Sequence, residues 1–286
     1  MSMATLVICF VWFNILLSRM RIYFFIGVLF SVTLYGCSSA PVVGNTVDTQ
    51  QQGESLRKQL FDKISKHKVL SYKDLWKTFK KTDALPNKPN KVFDIYSYKK
   101  NKLPYVYEFF VNQCGHYKKE GDCYNREHSF PKAWWGDDLG KPMAKDLYHI
   151  YPVDGYVNNM RASYPYAEVD PKGAKFSLNG SKLGKAKDKS LKGKYFEPVD
   201  EFKGDLARGY FYLLTAYYDR VQNWSSPILK GNNFTPWAQK ILLRWHKNDP
   251  VSDKERKRNK QIMAIQGNYN PFIVNPKLVG KIWKDK

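Results

Sequence analysis

Acidic residues are scarce in this chain: 26 Asp and Glu face 47 Lys and Arg, a net charge of +21 over 286 residues. Such an excess implies a polyanionic partner, because cations that neutralise phosphates release condensed counterions. Simple solubility or attraction to an anionic surface are the plainer alternatives. The basic residues are spread along the chain rather than gathered in a tail, which argues for a charged folded surface and against a disordered arm. Histidine is scarcer still, with five in all and none in a His-Glu-x-x-His pattern, so the helical zinc-peptidase signature is missing. No stretch repeats itself, and beyond residue 36 there is no second long apolar run. What is abundant is core material: hydrophobic residues make up 43% and aromatics 16%.

Residues 1–36 contain two basic residues, Arg19 and Arg21, and no acids. An apolar run from Ile22 to Tyr35 ends in Leu34-Tyr35-Gly36-Cys37-Ser38-Ser39. Charge, a short apolar stretch and small residues make a secretory signal. The Leu-x-Gly-Cys ending resembles a bacterial lipobox, which implies cleavage before Cys37 and lipid attachment there. An uncleaved membrane helix or a chance cysteine is the alternative. Met20 is a candidate for the true start. Residues 37–53, rich in Ser, Gly, Gln, Val and Thr, read as a flexible tether. Cysteine is sparse too, at four. With Cys9 lost in the signal and Cys37 acylated, Cys114 and Cys123 remain, and export to an oxidising space suits a disulfide between them. A zinc site with His116 and His128 is the rival.

From residue 54 to 286 the pattern is one α+β domain. Helices are expected over 54–66, 71–81 (opened by a capping-box-like Ser71-x-x-Asp74), 205–220, 236–247 and 251–266. Residues 91–98 and 105–112, rich in aromatic and β-branched side chains, read as strands. Residues 170–195 read as a long exposed loop or hairpin whose lysines could track a phosphate backbone or merely be solvated. Trp134-Trp135 could stack on bases or pack. Tyr210 to Tyr218 reads as core, Asn268 to Pro271 as a turn that closes the domain, and His67, His116 and His246 as surface or structural.

Two stretches carry chemistry: Asn125-Arg126-Glu127-His128-Ser129-Phe130-Pro131 and the run from Asp146 to Arg161. Hydrolysing a phosphodiester needs a base for water, and charge to stabilise phosphorus and the leaving oxygen. A histidine near neutrality supplies the first, and a hard cation on oxygen ligands the others. Glu127 and His128, adjacent on a strand, would point opposite ways but could flank a scissile phosphate. A turn around Pro152 to Gly155 leads into a short helix, where Asn158 and Arg161 share a face. Alone, such a pair occurs by chance, and an isolated Asn158 is more often a helix cap than a ligand.

Together these stretches resemble the bacterial endonuclease I family, exported non-specific nucleases of the ββα-metal (His-Me finger) class. The resemblance rests on Arg126-Glu127-His128 with Pro131, Asp146-Leu147, Pro152, Gly155, Val157-Asn158 and Arg161. It continues through Phe196 to Arg208 and Ile265 to Phe272, and so spans about residues 95 to 275. It implies a ββα-metal core wrapped by helices, with His128 as general base and one Mg²⁺ (Mn²⁺ or Ca²⁺ in its place) on Glu127 and Asn158. Arg161 and Arg126 would contact phosphate or brace the site. The substrate would be DNA, and RNA too, cut to 5′-phosphates. No sequence preference is implied, since backbone contacts carry none. A monomer held in the envelope by its lipid, without a protein partner, is the expected form.

The chain departs from the family in three places. Tyr148 stands where some members have His, and the neighbouring His149 is expected to pack or support. The Cys114–Cys123 loop belongs only to a subset of members. The stretch between His128 and Asn158 is also too short for the Cys-containing insertion that carries a phosphate-contacting Arg in longer members. Arg161, Arg126, Lys132 and Lys145 are the candidates to replace that cation. The competing function is a basic envelope lipoprotein that holds nucleic acid without cutting, which would not require Glu127, His128 and Asn158 together.

Overall fold

Leu56, Leu60 and Ile64 recur at helical spacing along Gly53–Ile64 (α1), and all three are fully buried, as one apolar stripe demands. A computed structural model of the chain describes residues 48, 50–99 and 102–284. The expected signal segment, Cys37 and most of the tether lie outside the described residues. Within them no helix is long and apolar enough to cross a membrane.

The Ser71-x-x-Asp74 signal closes a turn rather than opening the helix at Ser71. Asp74 N donates to Ser71 Oγ (3.1 Å), Ser71 Oγ donates back to the carboxylate (2.7 Å), and the helix runs from Leu75 to Thr82 (α2). Two short strands follow, Ala84–Leu85 (β1) and Lys88–Val92 (β2). The strands expected over 91–98 and 105–112 are largely absent. Asp94 ends the first: its Oδ1 accepts from Tyr96 N, and its carbonyl from Ser97 N and Tyr98 N, which folds 94–98 into a turn. The second meets β2 through only a few backbone bonds, Val92 N to Tyr107 O and Phe109 N to Asn90 O among them.

Tyr124–His128 (β3) and Ile150–Asp154 (β4) pair antiparallel, with Glu127 opposite Tyr151 and His128 opposite Ile150. The turn expected at Pro152 to Gly155 is the end of β4. Pro152 is tolerated because each strand of a two-stranded pair has an open edge. A helix follows directly, Gly155–Arg161 (α3), its first turn capped by Asp154, whose Oδ1 accepts from Val157 N at 2.7 Å. Of the loop or hairpin expected over 170–195, the hairpin forms: Lys175–Phe176 (β5), Lys182–Lys185 (β6) and Lys194–Glu197 (β7) pair antiparallel as a three-stranded sheet.

Lys203–Ala216 (α4) is buried at every residue and is the axis of the domain. Around it lie the hairpin Leu229–Lys230 (β8) with Asn233–Phe234 (β9), and the helices Pro236–Asn248 (α5), Asp253–Gln266 (α6), Pro271–Val274 (α7) and Lys277–Ile282 (α8). α4 packs on α1, α5 and α7. The architecture is α+β. Trp134 and Trp135 are in the core, the former edge-on to Phe130 at 4.8 Å and the latter stacked on it at 5.8 Å, so they pack rather than offer a base-stacking platform. The 268–271 segment does close the domain: Asn268 Nδ2 donates to Ile64 O and Tyr212 OH, and Asn270 Nδ2 donates to Arg208 O.

Cys114 and Cys123 are disulfide-bonded, which leaves the rival zinc site without thiolates. The pair sits on the first residue of α3. Gly155 N donates to Cys123 O (2.9 Å), and a Cβ at Gly155 would lie 2.4 Å from Cys114 Sγ. Gly155→Ala is therefore expected to destabilise the fold by about 2 kcal/mol, the scale of an overpacked site, read as a lowered thermal midpoint. An unchanged midpoint would refute this close approach.

Candidate active site

Burial of a charge is costly unless it is paired and hydrogen-bonded, and β3 carries one such residue at its end. Glu127 is only 2% exposed. Its two protein donors, Tyr96 OH at 2.7 Å and Arg161 NH1 at 3.0 Å, both fall on Oε1. Burial raises the Glu127 pKa above the ordinary carboxylate range, while Arg161 and Tyr96 pull the other way. Arg161 has no exposed surface. NH1 also donates to His128 O (2.9 Å), NH2 donates to Ser129 O and Tyr210 OH, and the guanidinium lies over the Tyr166 ring at 4.6 Å. Burial alone would lower its pKa, but Tyr166, Glu127, Tyr210 and Tyr96 outweigh that and hold it above the usual range. Arg161 thus joins the end of α3 to Glu127, His128 and Ser129 on and after β3. A surface contact to phosphate is not available to it as placed.

His128 is also buried. Nε2 lies 3.0 Å from Ala144 O, and the ring sits between Tyr72 (stacked, 6.1 Å) and His149 (5.7 Å). Its pKa is pushed well below the usual value, chiefly by burial, then by His149, Lys132 and Arg126, with the Ala144 carbonyl partly opposing. Asn158, one turn into α3, donates Nδ2 to Arg126 O at 3.3 Å, which turns its Oδ1 away from that carbonyl. Arg126 lies over Tyr72 (3.9 Å) and Trp76 (4.5 Å), and its NH1 donates to Tyr72 O (3.0 Å).

Arg126, Glu127, His128, Pro131, Lys132 and Asn158 line one cleft of about 180 Å³. Asp137, also in the lining, sits 3.5 Å from Lys132 Nζ. Lys145 is not among the lining residues, and its Nζ donates to Gly140 O (2.8 Å). Ala162, at the rim where α3 ends, has φ +47° and ψ −125°, a region costly for any residue but glycine. Sequence reasoning missed Tyr72, Tyr96, Tyr166, Tyr210 and the Ala144 carbonyl. Tyr210 lay on an apolar helix face, where a hydroxyl in place of Leu or Phe was the one available hint.

The profile of the endonuclease I family matches residues 52–277. The chain belongs to the endonuclease I family. It is a hydrolytic nuclease. Among relatives in this family, the chain is 34% identical over 236 residues to the extracellular ribonuclease of Bacillus subtilis (strain 168), covering 81% of this chain and 75% of that one. It is 29% identical over 184 residues to Endonuclease-1 of Buchnera aphidicola subsp. Baizongia pistaciae, covering 57% and 68%. It is 26% identical over 131 residues to the periplasmic deoxyribonuclease of Aeromonas hydrophila, covering 46% and 48%. The cleft residues, from Arg126 to Ser163, fall inside the region that matches the endonuclease I profile.

His149, beneath His128, supplies a pH test. It has no exposed surface, Nε2 meets Met143 O at 2.7 Å, Nδ1 has no partner, and burial lowers its pKa to about 4 against Asp146 and the Met143 carbonyl. Unfolded, the ring titrates near 6.5 and folded near 4, so between these values the unfolded chain binds a proton that the folded chain refuses. His149 thus contributes stability that is present above pH 6.5 and lost as pH falls toward 4. The stability difference between wild type and His149→Gln should shrink over that interval in denaturant titrations. A difference that stays constant with pH would contradict this.

Proposed function

We propose that this chain is an exported, metal-dependent, non-specific endonuclease acting on DNA and RNA to leave 5′-phosphates, with β3, β4 and α3 as its ββα-metal core. The observation that carries the reading is the meeting of Glu127, His128 and Asn158 on one cleft, beside Arg126 and Lys132.

Glu127 and Asn158 offer a carboxylate oxygen and an amide oxygen, a set that suits a hard divalent cation which keeps most of its own water, Mg²⁺ first and Mn²⁺ or Ca²⁺ by the same preference. Among the described residues no group of three or more His, Cys, Asp or Glu could hold a metal, so the usual zinc ligand set has no support. A cation bound there would stabilise charge on the phosphate and the leaving oxygen. With Nε2 donating to the Ala144 carbonyl, His128 keeps Nδ1 unprotonated to accept the proton of the attacking water. Its lowered pKa keeps the ring neutral at the pH where a base is needed.

In this reading Lys132 is the cation that meets the phosphate. It lines the cleft on a flexible stem and, among the described residues, its amine is paired only with Asp137, whereas Arg126 is packed on two rings, Arg161 is buried and Lys145 is turned to Gly140. A ribonuclease and a deoxyribonuclease among the relatives support both polymers as substrate, and their extracellular and periplasmic placement supports export. Signal 1–36, lipidation at Cys37, tether 37–53, a nuclease domain from 54 to 286 and a monomeric envelope protein complete the proposal.

The test incubates the chain from residue 38 onward with plasmid DNA and with RNA, in Mg²⁺, in Mn²⁺, in Ca²⁺ and in EDTA. Cleavage is expected only with the metal, and His128→Ala should lose at least about a hundredfold in kcat while staying folded, the scale of a general base. Binding of DNA without cleavage under any of the three metals would overturn the reading in favour of a basic nucleic-acid-binding lipoprotein.

A further inference from the structure

Glu127 can present an oxygen to the cleft only if its carboxylate is kept from turning inward. Arg161 is the hazard, because a guanidinium prefers to take both oxygens of a carboxylate in a fork. It does not do so here. Of the Glu127 oxygens NH1 reaches Oε1 alone; NH1 also donates to His128 O and NH2 donates to Ser129 O and Tyr210 OH, while the buried Nε has no hydrogen-bond partner among the described residues. The second group on Oε1 is the Tyr96 hydroxyl, at 2.7 Å.

Tyr96 has one proton to give, and the carboxylate, which has none, takes it. The 3.0 Å contact between Tyr96 OH and Tyr166 OH must then run from Tyr166 to Tyr96. All four groups are buried. The Tyr96 ring rests on Phe196 at 5.2 Å, and its backbone N donates to Asp94 Oδ1 (2.8 Å). The other oxygen of Asp94 accepts from Asp154 N (2.8 Å), and Asp154 caps the helix that carries Asn158. One carboxylate, Asp94, therefore fixes both the residue that aims Glu127 and the start of the helix that aims Asn158.

We infer that Tyr96 is a positioning residue that holds Glu127 on its Oε1 edge, so that Oε2 stays turned to the cleft for a divalent cation. The inference rests on the reading of Glu127 as a cation ligand. Without the Tyr96 hydroxyl, the carboxylate is free to rotate into the Arg161 fork and withdraw Oε2.

Calorimetric titration with Mn²⁺ tests this on wild type, Tyr96→Phe and Glu127→Gln, with thermal melts beside it. Tyr96→Phe should weaken Mn²⁺ binding about tenfold, the scale of one hydrogen bond to a charged group, and shift the half-saturating metal concentration for cleavage more than kcat at saturating metal. Mn²⁺ affinity within about twofold of wild type in a folded Tyr96→Phe, with Glu127→Gln deficient, overturns the role of Tyr96 and leaves Glu127 as ligand. Unchanged binding in Glu127→Gln overturns the ligand reading itself. Should Tyr96→Phe not fold, Tyr166→Phe carries the test: it removes the donor that polarises Tyr96 and should cost about threefold in affinity, and no change overturns the inference.

Discussion

A guanidinium with no access to water is the constraint around which this molecule is arranged. Arg161 must find its partners inside the protein, and NH1 and NH2 find them in two cleft residues and the packing behind them: the Glu127 carboxylate and His128 carbonyl, then the Ser129 carbonyl and a Tyr210 hydroxyl. Replacing a buried ion pair by well-packed apolar groups is often neutral or stabilising, whereas removing one partner strands a charge. The pair is therefore best understood as a device for geometry. It ties the last turn of α3 to the end of β3 and so fixes the distance between the two elements that line the cleft.

The start of α3 is held just as firmly by different means. Asp154 caps it and in turn accepts from Tyr107 OH and Gly121 N, while a disulfide lies against Gly155. A helix of only seven residues has too few internal hydrogen bonds to persist alone. Here both ends are pinned by tertiary contacts, so Asn158 in its middle has little freedom.

The helices were legible wherever one face is buried: the periodic apolar residues of α1 and α5 reflect a real stripe, and their ends fall within a few residues of expectation. Residues 91–98 misled because their aromatics serve tertiary contacts instead of a ladder. Phe93 stacks on Tyr98, and Tyr96 reaches Glu127, 31 positions away. The Glu127-His128 pair and Asn158 could be found from local motifs. The tyrosines could not, since nothing in the sequence links Tyr210 to Arg161 across 49 positions. The two roles left open for Arg161 differ only in burial, which a sequence does not display for a single charged residue.

Ala162 extends this picture. Its backbone lies where glycine alone moves freely, immediately after the residue that anchors Glu127. The strain must be over-determined by its surroundings to persist, and those surroundings are Arg161 inside and the Ala162 N–H bonded to Asn158 O. α3 therefore ends at Arg161, where the backbone turns out of the helical region. One wall of the cleft is in this sense an edge of main chain, and its outline belongs to the backbone path more than to the side chains at 162 and 163. Drift at 163 can recolour the rim without moving it, whereas 162 is confined by its backbone to glycine or a small residue.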